Sequence, residues 1–498
     1  MRGRFSAALF DPLAEEAVAA NSVVRVDPLF RAASNDYSVV GTEARAVAAA
    51  VGELRYSSSG LFTLINTGFF GTNDTAFDGV RCLPSSSTWL VRGDTETCSR
   101  RSLGDLKRGD LRAPPDPADV LAEELVGSMG EMYCDAGPLL LGLTGGKDSR
   151  LLAAAARRAN LAITTQTLAQ GDWNAADVYV AKLVADRMGL PHVVNTVATE
   201  SDEQTITVDY LSRAATNLHS SDGAIYAYEI IGAIDDPFLE NGQMSGLGGE
   251  LLRGGYAEKH KKLTPERARE IASAQFARSA RFFLPDVSRA YEDFADSWFA
   301  ELGELGPWDT LDCLYADFRC GRWIAATSRS SMIRSFHRLP FLDNRLAQAT
   351  LALPATSKVT GELLSRILAR LSPEVADVPL ANALWPGTPK QDAERLKRDH
   401  PQAFESMKRR AATNDWRRAF PAELVAHIRD YCLEDGRIEL LRDVLDLEAC
   451  AEFLRGDRDQ LRKQMKFVHG LFSACTLVSG DWLKAPRVSA PLEIDLSH

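Results

Sequence analysis

Positive charge is in deficit: 57 Lys and Arg stand against 68 Asp and Glu, a formal charge of -11 over 498 residues. So acidic a chain lacks the net basic face that a phosphate backbone or an anionic membrane requires, which argues against nucleic-acid or membrane binding as its main activity. Only a local basic pocket stays open. Long apolar runs are missing as well. No stretch reaches the roughly 18 uninterrupted apolar residues of a membrane span. The opening MRGRFSAALFDPLAEE turns acidic before a signal-type apolar segment can form, so a cytoplasmic protein is expected. Cysteine is sparse: the eight are scattered, with no C-x-x-C pair and no Cys/His cluster at zinc spacing. Buried reduced thiols are therefore expected rather than a zinc site. The eight histidines are equally dispersed, which favours structural roles.

What is present is a globular composition, 45% apolar and 25% charged, on a chain long enough for two or three domains. Residues 1–112 carry short alternating stretches with turn signals between them (RFSAALFD, YSVVGTEA, STWLVRGD), which predict a small β-rich domain. Pro114, Pro115 and Pro117 then interrupt any regular element, and 113–117 reads as a linker. From 118 the rhythm changes. Helical patterns at 118–133, 149–158 and 175–189 alternate with strands at 139–143, 162–168 and 192–197, the pattern of right-handed crossovers on a buried parallel sheet. From about 257 helices dominate. The expected fold class is α/β, a doubly wound, mostly parallel sheet with a helical C-terminal part, preceded by the β-rich piece.

The most informative stretch is LLLGLTGGKDSRLL, Leu139–Leu152: a strand, a glycine pair and a helix. At the carboxyl edge of such a sheet this turn offers helix N-terminal N–H groups to an anion. Gly145 and Gly146 would let the backbone approach phosphate oxygens, and Thr144 and Ser149 would add hydroxyls. The kinase-type phosphate loop G-x-x-x-x-G-K-[ST] does not fit, because Gly142 lies four residues before Gly146 and Asp148 follows Lys147. An aspartate here would repel phosphate unless a cation lay between them, so Asp148 reads as a magnesium ligand facing a polyphosphate. The alternative is an Asp that merely caps the next helix.

With these residues the chain resembles the asparagine synthetase family, whose pyrophosphate loop S-G-G-x-D-S stands here as Thr144-Gly145-Gly146-Lys147-Asp148-Ser149. A second signature, opening S-G-x-G-[S/A]-D, stands as SGLGGELLRGGY, Ser245–Tyr256. A third, R-x-P-F-L-D, stands at Arg338–Asp343, followed by LALP and Lys358. The resemblance implies a sheet of the ATP-pyrophosphatase type over 118–498. It also implies that 1–112 is similar to the second half of a glutamine amidohydrolase domain, truncated and degenerate. Glutamine-using relatives carry their nucleophilic cysteine directly after the initiator Met, where this chain has Arg2, so no glutaminase activity is expected. A truncated gene model would explain the missing half equally.

By the same resemblance, ATP and Mg2+ are the cofactors. A carboxylate attacks the α-phosphate to give an acyl-adenylate and pyrophosphate, and an amine displaces AMP. Asp148 and Glu250, the latter where the family has Asp, are the implied metal ligands. Leu143, Thr144, Gly145, Gly146, Lys147, Ser149, Thr167, Leu168, Ser245 and Gly246 complete the implied ATP site. Lys390 and Lys358 are candidates for a lysine that steadies the adenylate phosphate, against the plain alternative of surface lysines. Arg150 and Arg253 divide between phosphate-end charge and solvated surface, and Asp177 reads first as a helix cap.

Leu247 stands where asparagine-forming relatives have Glu and β-lactam-forming ones Tyr. Leucine can neither take a proton nor hydrogen-bond an amine. The implied function is an AMP-forming amide ligase of natural-product type, nearest to lasso-peptide cyclases and β-lactam synthetases. The resemblance leaves open an amine in the same precursor peptide as the carboxylate or in a second molecule, with a leader peptidase or peptide-recognition protein as the implied partner in the first case. The alternatives are a noncatalytic scaffold, an amidotransferase using free ammonia, and a kinase, which the failed loop spacing disfavours.

Overall fold

The computed structural model describes residues 3–52, 54–109, 116–133, 139–169, 174–196, 205–229, 243–276, 279–332, 338–405, 416–485 and 487–495. Arg2, Cys134, residues 113–115 of the expected linker and Val197 lie outside the described residues.

Among the described residues the amino-terminal part holds seven strands: β1 (Ser6–Asp11), β2 (Glu16–Asn21), β3 (Phe30–Ala33), β4 (Ser38–Gly41), β5 (Arg81–Cys82), β6 (Ser87–Arg92) and β7 (Thr95–Arg100). They form two antiparallel sheets of order β1-β2-β6-β7 and β4-β3-β5. The sequence pattern missed a helix here, Ser58–Thr67. Ser57 caps it by accepting the Gly60 N–H at 3.1 Å, and Gly68, at φ 82°, ends it. Its apolar face is buried against the helix Met465–Val478. The contact is backbone to backbone: a Cβ on Gly470 would sit 2.3 Å from the Ile65 carbonyl oxygen, so no side chain fits there. Phe62, Leu64 and Ile65 therefore share one apolar core with Phe467, Leu471 and Phe472.

Buried charges add to this seam. The Asp317 carboxylate takes Arg100 at 3.1 Å and Arg25 at 3.3 Å. Burial works against its ionisation, yet the two guanidinium groups hold its pKa down at about 2.

The central sheet is β8 (Leu139–Gly142), β9 (Ile163–Ala169), β10 (His192–Thr196) and β12 (Gln243–Met244), parallel throughout and ordered β10-β9-β8-β12. Its inward residues Leu139, Leu141, Ile163 and Met244 pack with helices Pro117–Met132, Asp148–Arg158, Ala175–Met188 and Glu362–Leu371 in a second core. Each expected strand and helix between 118 and 197 lies within one residue of its predicted bounds. The linker is corrected at its end. Asp116 caps the helix by accepting the Ala118 N–H at 2.9 Å, and Pro117 is its first residue, where a missing N–H costs nothing.

Beyond 257 the described chain is helical except for β13 (Pro491–Asp495), which pairs antiparallel with β11 (Thr205–Asp209). This is a mixed α/β fold. No helix among the described residues is long and apolar enough to cross a membrane. Of the seven described cysteines, all free, six are buried as expected and Cys98 is exposed on β7.

Candidate functional site

The site begins where β8 runs out. Leu143 is locked to β9: its N–H donates to the Gln166 carbonyl at 2.7 Å and its carbonyl accepts the Thr167 hydroxyl at 2.6 Å. The turn that follows is held by its own side chains. The Thr144 N–H donates to Ser149 Oγ at 3.0 Å, the Gly145 N–H to Asp177 Oδ1 at 2.9 Å, and the Gly146 N–H to Thr144 Oγ1 at 3.1 Å. The turn is thus preorganised. Three of the amides expected to face phosphate are already engaged, which leaves the first helical turn, Asp148 to Arg150, whose N–H groups have no partner within the helix.

Gly145 is also required by close packing, since a Cβ there would lie 2.5 Å from Ala381 Cβ. Gly249 is required in the same way, because its Cβ would lie 2.5 Å from Asp148 Cγ. The second signature therefore rests directly on the Asp148 side chain.

Asp148 is not the helix cap. Lys147 occupies that position without a capping bond. The Asp148 carboxylate instead accepts from Arg253 Nη2 at 3.0 Å through Oδ2, while Oδ1 is buried with no hydrogen-bond partner among the described residues. Burial raises its pKa to about 6; Arg253 opposes that rise, and Glu250 and Glu258 add to it. Glu250 Oε1 lies 3.7 Å from the same guanidinium, and Glu250 Oε2 accepts the Tyr315 hydroxyl at 2.8 Å. Arg253 Nη1 reaches Glu258 at 2.7 Å, and Lys147 Nζ stands 3.6 Å from Glu258.

Two cavities meet here. One, of about 330 Å3, is lined by the turn 145–148, Asp177, Arg253 and residues 380–383. The other, of about 530 Å3, is lined by Leu247, Glu250, Arg253, Tyr256, Tyr315 and Trp323 among others, with Asn66, Thr67 and Phe69 of the amino-terminal part on its wall. Arg253 lines both.

The remaining expected residues are placed as follows. Ser245 and Gly246 lie on the loop leaving β12; the Ser245 N–H donates to the Arg338 carbonyl at 3.2 Å, and Gly246 packs against Asp148 and Ser149. Thr167 is buried and Leu168 is exposed at the carboxyl end of β9. Lys390 is exposed as the first residue of helix Lys390–Asp399 and lines neither cavity.

Three expectations are corrected, and one of the two readings of Arg253 is retained. Asp177 is not the cap of its helix, which Asn174 precedes; it holds the Gly145 amide. Arg150 is neither surface nor phosphate-end: it is fully buried, donates to the Val378 and Pro379 carbonyls at 2.7 and 2.9 Å, and stacks on Trp385. Lys358 is neither surface nor adenylate-facing, because its ammonium is fully buried on Asp312 at 2.5 Å. Arg253 is no solvated residue but the hub of the acidic group. Glu258 and Tyr315 were missed; Tyr315 sits 65 positions from the carboxylate it holds, and no local pattern signals it.

No curated protein matches the chain. The asparagine synthase family matches residues 121–470, a span that includes the Asp148 turn, the Ser245–Tyr256 loop packed on it, and Arg338–Asp343. The reaction class that goes with that family is ATP-dependent carbon–nitrogen ligation, and the chain belongs to the asparagine synthase family.

Proposed function

We propose that the protein adenylates a carboxylate with ATP and transfers the acyl group to an amine, releasing pyrophosphate and then AMP. A carboxylate oxygen bonds to the α-phosphorus as the bond to the bridging β-oxygen breaks; the amine then adds to the acyl carbon, AMP leaves, and the amine gives up a proton. The observation that carries this reading is Asp148, a buried carboxylate with one unpartnered oxygen, at the start of the helix after β8 and on the wall of the smaller cavity. The smaller cavity takes the triphosphate end of ATP and the larger one the acyl and amine partners.

Magnesium fits these residues. Asp148 Oδ1 lacks a donor, Glu250 is the adjacent carboxylate, and a hard divalent cation commonly takes one or two carboxylates plus phosphate oxygens. No group of three or more potential metal-binding side chains exists among the described residues, so the phosphates would supply the remaining ligands. When bound, the cation would neutralise the departing pyrophosphate. The chain's own part is to aim the N–H groups of the first helical turn at the phosphates and to hold the turn rigid through Ser149, Thr144 and Asp177. Thr167, Leu168, Leu143, Ser245 and Gly246 surround the strand ends where the adenosine would lie, and Lys390 stays available only to a substrate that extends past the cavities.

Leu247 lines the larger cavity and cannot accept a proton, so the amine must lose its proton to another group or to the substrate itself. That favours closure of a preorganised substrate over capture of ammonia, as in lasso-peptide macrolactam formation or a related natural-product amide, with both reacting ends in one precursor peptide delivered by a leader peptidase or recognition protein. Asn66, Thr67 and Phe69 on the cavity wall give the amino-terminal part a structural role in place of glutamine hydrolysis.

Labelled pyrophosphate should exchange into ATP only when a suitable carboxylate is added, with AMP as the nucleotide product. Formation of ADP would rule the reading out.

A further inference from the structure

We infer that Arg253 is a resident counter-ion of the metal seat: its guanidinium holds Asp148 and Glu250 together while no nucleotide is bound, and opposes a divalent cation there until the phosphates arrive with it. This rests on the reading of Asp148 and Glu250 as the metal ligands.

Arg253 Nη2 stands 3.0 Å from Asp148 and 3.7 Å from Glu250, so one nitrogen serves both carboxylates. Two such carboxylates repel each other when ionised, and burial sharpens that repulsion. The guanidinium offsets it without any metal. A divalent cation would take the unpartnered Oδ1 of the carboxylate whose Oδ2 Arg253 holds, so the two positive charges repel and Arg253 weakens the seat for the cation until the phosphates arrive.

Nη1 is on Glu258 at 2.7 Å, and Glu258 lines the larger cavity but not the smaller one, so the guanidinium is anchored on the acyl-binding side while Nη2 faces the seat. Arg253, which lines both cavities, is thus a positioning residue that joins the phosphate side to the acyl-binding side.

The test uses Mn2+ alone, titrated into the full chain and followed by the electron paramagnetic resonance of the free ion. Wild type should bind Mn2+ weakly without nucleotide. R253M, which keeps the aliphatic stem, should bind it at least about tenfold more tightly. R253K should resemble wild type. With ATP present, wild type should bind Mn2+ tightly and the gap to R253M should shrink. If R253M does not fold, R253Q is read in its place.

Unchanged Mn2+ affinity in R253M, or an equal gain in R253K, overturns the counter-ion role while leaving the ligase reading intact. Absence of Mn2+ binding in every form, with or without ATP, overturns the assignment of the seat itself.

Discussion

Asp148→Asn is expected to lower carboxylate-dependent pyrophosphate exchange by at least about a hundredfold while leaving the fold intact. The loss follows from chemistry: the amide keeps the shape but not the charge that holds a cation against departing pyrophosphate. The intact fold follows from the local environment. Burial raises the Asp148 pKa to about 6, so at pH 7 the folded protein carries an ion that its surroundings disfavour. The neutral amide removes that cost, and Arg253 retains Glu258 and Glu250 as partners. Stability should therefore hold or rise slightly, as measured by the urea midpoint. Near-normal exchange in the variant would remove Asp148 from the metal seat, and a collapsed midpoint would make it a structural residue.

The second large effect is on stability, far from the nucleotide. Asp312 is fully buried and carries two ammonium groups, Lys107 at 2.6 Å and Lys358 at 2.5 Å. Lys107 comes from helix Leu103–Arg108 of the amino-terminal part, so this cluster fastens that part to the helical region. Removing the shared carboxylate leaves the buried Lys358 ammonium on the Thr350 carbonyl and Lys107 on Asp309 and the Leu353 carbonyl, and Asp312→Ala is expected to cost about 3–5 kcal/mol, a large share of the stability of a typical domain.

The two lysines are not equivalent. Burial pushes the Lys358 ammonium down to about 8, with Asp312 opposing, whereas Lys107, helped by Asp312 and by Asp309 at 3.0 Å, is held above its ordinary value. Lys358→Met should thus cost far less than Asp312→Ala. Equal midpoints for the two variants in urea denaturation would contradict this ranking.

How much of the site could be read from the chain differs by element. The strand, turn and helix from Leu139 to Arg158 were legible because apolar periodicity switches there from two to 3.6 around a glycine pair. The helix Ser58–Thr67 was not, because SSGLFTLINT is buried over most of its circumference and shows no polar face. Burial of charge was likewise hidden. Arg150 follows Asp148-Ser149 and reads as a loop-side cation, yet the carbonyls that receive it come from residues 378 and 379. Lys358 looks like a surface lysine until Asp312 and Lys107, from two other helices, close on it.

At the metal seat the sequence pointed to Asp148 and Glu250 separately, and to Arg253 only as one of two equal options. What joins them is a salt bridge across 105 positions, which depends on the tertiary fold. Three loop amides went the same way: the residue types suggested phosphate contacts, whereas the folded turn engages them with its own hydroxyls and Asp177.

The most direct measurement is a crystal structure of the protein with Mg2+ and an ATP analogue whose α–β bridge is a methylene. The terminal phosphates are expected against the N–H groups at the start of helix Asp148–Arg158, with the cation between them and the Asp148 carboxylate. A triphosphate lodged elsewhere, with the Thr144–Ser149 turn empty, would contradict the account.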